Sequence, residues 1–148
     1  MYRYILLIPV LFWMDQRTKK KALTALCDED EHEILGGRIV LTLHKNPGAM
    51  LGFLKNHPFI LMFLNVSFVF LSFVYFLKLV LQEGKTLWKW AFVFIIGGGL
   101  GNLWDRIQRG YVVDFFRFKK RHIVYNLADF FIFIGSFLGI VAECFGKK

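Results

Sequence analysis

The stretch Phe59-Ile-Leu-Met-Phe-Leu-Asn-Val-Ser-Phe-Val-Phe-Leu-Ser-Phe-Val-Tyr-Phe-Leu77 carries no charge from end to end. A helix rising about 1.5 Å per residue needs about 20 such residues to cross a hydrocarbon layer ~30 Å thick. Pro58 stands where the first helical turn would begin, a position at which its missing N–H is not required. The stretch is therefore predicted to span a membrane. Ile123 to Ala142 reads the same way and carries only Asp129. Leu87 to Trp104 is a further span; its Gly97, Gly98, Gly99 and Gly101 would weaken an isolated helix but let a neighbouring backbone approach closely in lipid. At the other end, Tyr4 to Met14 is too short alone, so its helix must continue through Asp15, Thr18 and Lys19, which share one face.

Composition agrees. Of 148 residues 56% are apolar, 18 are phenylalanine, and the mean hydropathy is +0.48, more than an ordinary soluble domain of this size carries. The expectation is a mainly α integral membrane protein with four transmembrane helices, forming a single domain over residues 1–148. The net charge of +8 does not point to nucleic acid, because the basic residues flank apolar spans rather than forming a soluble face with stacking aromatics. Membrane phospholipid is the expected partner. Cys27 and Cys144 lie far apart and without histidine neighbours, so neither a metal nor a cofactor is expected.

Between the first two spans, Arg38-Ile-Val-Leu-Thr-Leu-His44 alternates with period two after Gly36-Gly37, predicting a half-buried strand in a small sheet resting on the membrane. The charge run Asp28 to Glu33 reads as a solvated loop. Asp15 and Lys19 stand four apart in the favourable order for a helical ion pair, either on the surface at a helix end or inside the membrane. Asn102, Asp105 and Arg106 share a face at one helix exit, and Asn126 and Asp129 share one in the last span.

Asp114 and Asp129 stand at the water-side margin of long apolar segments, where an unpaired carboxylate is costly. That placement points to chemistry in a membrane. Three other readings are open: the acids form a relay in a small proton-coupled carrier, they merely pair with Arg106 or Arg109, or the chain is a non-enzymatic interaction or scaffold protein. A carrier needs acids through the membrane depth and usually an internal repeat; here the acids gather on one side and no repeat is evident.

Four separated pieces then coincide in order: Asp15-Gln-Arg-Thr-Lys19, Asn46-Pro-Gly48, Gly101-Asn-Leu-Trp-Asp-Arg106 with Gly110-Tyr-Val-Val-Asp114, and Asn126-Leu-Ala-Asp129. Together they resemble the bacterial lipoprotein signal peptidase (signal peptidase II) family over nearly the whole chain. The resemblance implies a membrane-embedded aspartyl endopeptidase with Asp114 and Asp129 as catalytic pair. It implies support from Asp15, Lys19, Asn46, Gly48, Asn102, Asp105, Arg106 and Asn126, and it implies no metal. The implied substrates are diacylglyceryl-modified prolipoproteins, cut just before the lipidated cysteine. The implied frame is four transmembrane helices with an extracytoplasmic β-rich cradle in the bacterial cytoplasmic membrane, with both termini cytoplasmic, the site near the outer leaflet, and a monomeric enzyme.

Two features depart from the family pattern. Met50 and Leu51 stand where the loop after Asn46 usually has a phenylalanine, and Phe115 to His122 is unusually basic. Charge also conflicts with orientation: Asp15 to His57 and Asp105 to His122 hold 13 of the 19 Lys and Arg residues, which the positive-inside rule would assign to the cytoplasm. The family's orientation puts them outside, and it is the orientation expected here.

Overall fold

The computed structural model describes residues 2–27, 30–49 and 53–145. Met50 and Leu51 therefore lie outside the described residues. Four helices and three strands follow in the order α1 (Tyr2–Ala25), β1 (His32–Ile34), β2 (Ile39–Asn46), α2 (Pro58–Val80), α3 (Thr86–Arg109), β3 (Val112–Phe118) and α4 (Leu127–Phe145).

Helix α1 does continue past its apolar run. Its buried residues are Tyr4, Ile8, Leu11, Asp15, Lys19 and Ala22, a stripe at helical spacing that changes from apolar to charged without leaving its face. Thr18 sits off this stripe and bonds back to the Asp15 carbonyl at 2.8 Å, so only the ion pair turns inward. On the opposite side Leu6, Val10 and Trp13 are exposed. In α2, Phe59, Phe63, Phe70 and Leu71 face outward in the same way, an apolar exterior suited to lipid. Helices α2 and α4 are long and apolar enough by themselves to cross a membrane. In α1 and α3 Asp15, Lys19 and Asp105 are fully buried, whereas Arg3, Arg17, Lys20 and Lys21 are exposed.

Helix α3 is the hub, packed on α1, α2 and α4, and its glycines explain how. A Cβ on Gly97 would stand 2.8 Å from Leu11 of α1, one on Gly98 2.4 Å from the Ala128 carbonyl of α4, and one on Gly99 3.0 Å from Val69 of α2. Consecutive residues point in three directions, so three partners approach at one level. Gly135 of α4 reciprocates, since a Cβ there would meet the Ala91 carbonyl at 2.6 Å. The helix runs beyond the predicted Trp104 to Arg109, where Gly110 adopts φ 78° and donates its N–H to the Arg106 carbonyl at 3.1 Å; this left-handed cap is what ends it.

The sheet is antiparallel in the order β1-β2-β3. The predicted strand is present, with one end carrying the Asn46↔Val112 and His44↔Asp114 pairs and the other the Ile39↔Phe118 pair. The charge run is not all loop: Asp28 and Glu29 lie outside the described residues, but His32 and Glu33 belong to β1 and pair with Leu41 and Val40. Salt bridges from Glu31 to Arg117 and from Glu33 to Lys119 tie this acidic edge across to β3.

Helix α4 begins four residues later than the hydropathy implies. Tyr125 is held in an extended bridge, its N–H on the Phe116 carbonyl at 2.7 Å. Asn126 then caps the helix: its Oδ1 accepts from the Asp129 N–H at 3.0 Å, while Asp129 Oδ2 accepts from the Asn126 N–H at 3.1 Å. That reciprocal arrangement is a capping box, with an acid three residues inside the cap. Asp129 therefore stands in the first turn of α4, nearer the mouth than a span starting at Ile123 would place it.

Candidate active site

Asp114 lies in the middle of β3 and is buried between Val113 and the half-buried Phe115. The strand brings it opposite β2, where Asn46 donates from Nδ2 to Asp114 Oδ2 at 3.1 Å. Asn46 is itself oriented because its Oδ1 accepts the Gly48 N–H at 3.0 Å, a local side-chain turn typical of asparagine. Gly48 in turn accepts from Arg106 Nη2 at 2.8 Å through its carbonyl. One short segment thus links β3, β2 and α3.

Asn126 joins the two carboxylates. Its Nδ2 donates to Asp114 Oδ1 at 2.6 Å and to Asn102 Oδ1 at 3.1 Å, while its backbone and Oδ1 hold Asp129 as described. Asn102 completes the ring by donating from Nδ2 to Asp129 Oδ1 at 2.9 Å. The Asn102 amide has no freedom to flip, because its Oδ1 faces two donors, Asn126 Nδ2 and Lys19 Nζ at 2.9 Å. Each buried amide thus has its donor and acceptor ends assigned by its neighbours.

Beneath this ring lies a buried ionic layer. Lys19 Nζ is 2.8 Å from Asp15 and 3.1 Å from Asp105, and all three side chains are fully buried. The pair is internal, not a surface bridge at a helix end. Asp15 Oδ1 accepts the Ala128 N–H at 2.9 Å, holding the first turn of α4, and Asp105 Oδ2 accepts the Val113 N–H at 3.0 Å, holding β3 next to Asp114. Gly101 makes room for this: a Cβ there would stand 2.5 Å from Asp15 Oδ2.

All ten site residues named from the sequence therefore lie in one connected network or border it through a single hydrogen bond. Two further members lie outside those ten. Gln16 donates to Asp15 Oδ2 at 3.1 Å and to Asp105 Oδ1 at 3.2 Å, and Arg109 pairs with Asp105. Arg109 follows Asp105 at helical spacing, a signal available in the sequence; Gln16 carried none beyond its neighbours. Among the described residues, neither Asp114 nor Asp129 forms an ion pair with an arginine, so the plain-pairing alternative fails on geometry.

A cavity of about 570 Å³ opens on the two acids. Asn102, Arg106 and Asp129 line it from the helices, Asp114 and His44 from the sheet, and Tyr125, Ile132 and Phe133 form apolar wall. Arg106 Nε is buried without an acceptor. Burial, and after it the charge of Asp129, pushes the Asp114 carboxyl up to about 7 from the ordinary 3.8, against hydrogen bonds from Asn46 and Asn126 that lower it. The arrangement suits proton transfer near neutral pH at a peptide held in the cavity.

Comparison with known proteins agrees with this geometry. Residues 7–145 match the family described as signal peptidase (SPase) II. The lipoprotein signal peptidase of Caldicellulosiruptor bescii is 37% identical over 135 residues, covering 91% of this chain and 86% of that protein. That of Clostridioides difficile is 35% identical over 148 residues, covering 98% and 97%. A solved bacterial membrane enzyme, determined by the in meso method at 2.3 Å, superposes with a TM-score of 0.85 at 24% identity over 100% of this chain and 93% of its own. A second, at 1.9 Å, gives 0.80 at 25% identity over 97% and 93%. The chain belongs to the signal peptidase II family, the membrane aspartyl peptidases that remove signal peptides from prolipoproteins.

Proposed function

We propose that Asp114 and Asp129 are the catalytic pair and that they share one proton. The observation that carries this is Asn126, whose single side chain bonds both the carboxylate of Asp114 and the backbone of Asp129. Two carboxylates that line one cavity and feel each other's charge resist double ionisation, so one keeps a proton. The ionised member takes a proton from water attacking the scissile carbonyl. Its partner donates to the carbonyl oxygen and stabilises the tetrahedral intermediate.

Asp15, Lys19 and Asp105 serve as the ionic base beneath the pair, and Asn46, Gly48, Asn102 and Asn126 orient it. Arg106 Nε, buried without a partner, is the donor left for a carbonyl of the substrate backbone. The substrates are diacylglyceryl-modified prolipoproteins, cut before the lipidated cysteine, and the apolar wall of Ile132 and Phe133 supports an acyl chain arriving beside the scissile bond. The enzyme acts as a single-domain monomer with its sheet at the outer leaflet and its termini cytoplasmic.

The test is conversion of a diacylglyceryl-prolipoprotein by the purified protein in detergent, followed against pH. An acid whose carboxyl is raised keeps its proton below that value and loses it as pH rises through it. Asp114, raised to about 7, would thus give a rate that falls through about pH 7, approaching about tenfold per further pH unit. A rate constant from pH 5 up to about pH 9 would contradict a shared proton.

A further inference from the structure

We infer that the end of the sheet remote from the acids carries a binding cleft for the phosphodiester headgroup of an anionic phospholipid. Arg38, Lys119, Lys120 and Arg121 bring four cations to a cleft of about 900 Å³ between Gly36-Gly37 and Tyr125, and among the described residues no acidic one lines it, Glu33 standing behind Gly37. Two acids in and beside the neighbouring strand β1 are already engaged: Glu33 pairs with Lys119 at 2.6 Å and Glu31 with Arg117 at 2.7 Å. Arg38, Lys120 and Arg121 have no ion-pair partner among the described residues. Such a surplus attracts phosphate oxygens, which accept several hydrogen bonds at once.

The apolar rim selects a lipid over a free anion. Leu35 at the hairpin tip is 70% exposed, and Ile34 and Phe118 beside it are exposed as well. Apolar side chains ringed by cations are the pattern of a surface that dips into a headgroup layer, and this chain is a membrane enzyme. Tyr125 lines both this cleft and the catalytic cavity, but the cations gather toward the far end of the sheet: Ile39, beside Phe118, is five residues along β2 from His44, roughly 16 Å at strand rise. Bound lipid would hold the free end of the sheet to the membrane while the other end carries Asn46 and Asp114. The inference rests on the proposed reading only in setting the sheet at the outer leaflet. It also gives a use to four of the 13 cations that the positive-inside rule would have put on the other side.

Native mass spectrometry of the full chain in detergent tests it, with equal amounts of phosphatidylglycerol and phosphatidylcholine offered. The parent protein is expected to retain phosphatidylglycerol preferentially. Arg38→Ala/Lys120→Ala/Arg121→Ala is expected to lose that preference by about tenfold or more while cleaving substrate in detergent at the parental rate. Lys120→Glu alone, at an exposed and unpaired site, is expected to weaken retention severalfold without risk to folding. Equal retention of both lipids by the parent, or unchanged preference in both variants, would overturn the inference. Displacement of the lipid by an excess of inorganic phosphate would instead mark a free-anion site and overturn the lipid assignment. Cleavage surviving Asp114→Asn would sink the catalytic reading and leave this result standing.

Discussion

Asp114→Asn and Asp129→Asn are each expected to lower cleavage of a diacylglyceryl-prolipoprotein by about 10²–10⁴-fold, the range that a positioned acid or base contributes. An amide at either position can neither accept the proton of the attacking water nor donate one to the carbonyl oxygen. The structural cost should be small enough to leave a folded protein. At position 129 the amide keeps an acceptor for one of its two donors, Asn102 Nδ2 and the Asn126 N–H, and turns an N–H₂ toward the other. That weakens the α4 cap by about 0.5–2 kcal/mol. At position 114 the donors are Asn46 and Asn126, and the same reasoning holds. Steady-state kinetics with circular dichroism as a folding control separates the two effects. Full activity in either folded variant would remove that residue from the pair.

Lys19→Met should be the most damaging substitution to stability. Lys19 neutralises Asp15 and Asp105 at a fully buried site. A methionine fills similar volume but leaves two acids with one remaining cation, Arg109, which reaches only Asp105. Breaking a buried ionic group by removing one partner costs about 3–5 kcal/mol, because the surviving charge is left uncompensated. The damage would spread along specific bonds: Asp15 holds the Ala128 N–H, Asp105 holds the Val113 N–H, and Lys19 fixes the Asn102 amide. Both Asp129 and Asp114 would lose their registration, so activity should fall together with thermal stability. A loss of less than about 1 kcal/mol in detergent unfolding would mean that the buried charges are hydrated or otherwise compensated.

Much of this was legible from residue order. The uncharged run after Pro58 identified α2 nearly to its ends, and period-two alternation identified β2, because each rests on a pattern that burial alone imposes. The limits of α4 were not legible, since Ile123 to Tyr125 are as apolar as the helix that follows. What excludes them is pairing with Phe116 and the cap made by Asn126, both long-range or reciprocal. Shared helical faces brought Asn102 together with Asp105, and Asn126 with Asp129. Only the folded chain could show that Lys19 reaches across to α3 and that Arg106 leans on the Gly48 carbonyl. The order of the four motifs named the family, whereas the connections between them had to come from three dimensions.

The central claim is that one proton is shared by Asp114 and Asp129 when the enzyme is poised to act. Carbon-13 NMR of the aspartate carboxyls in the folded protein, assigned through the two asparagine variants, counts that proton directly. One proton is expected on the pair from about pH 5 to 6, half lost at about pH 7 and gone above it. Two carboxylates that both ionise near the ordinary 3.8 and stay ionised through neutrality would contradict it.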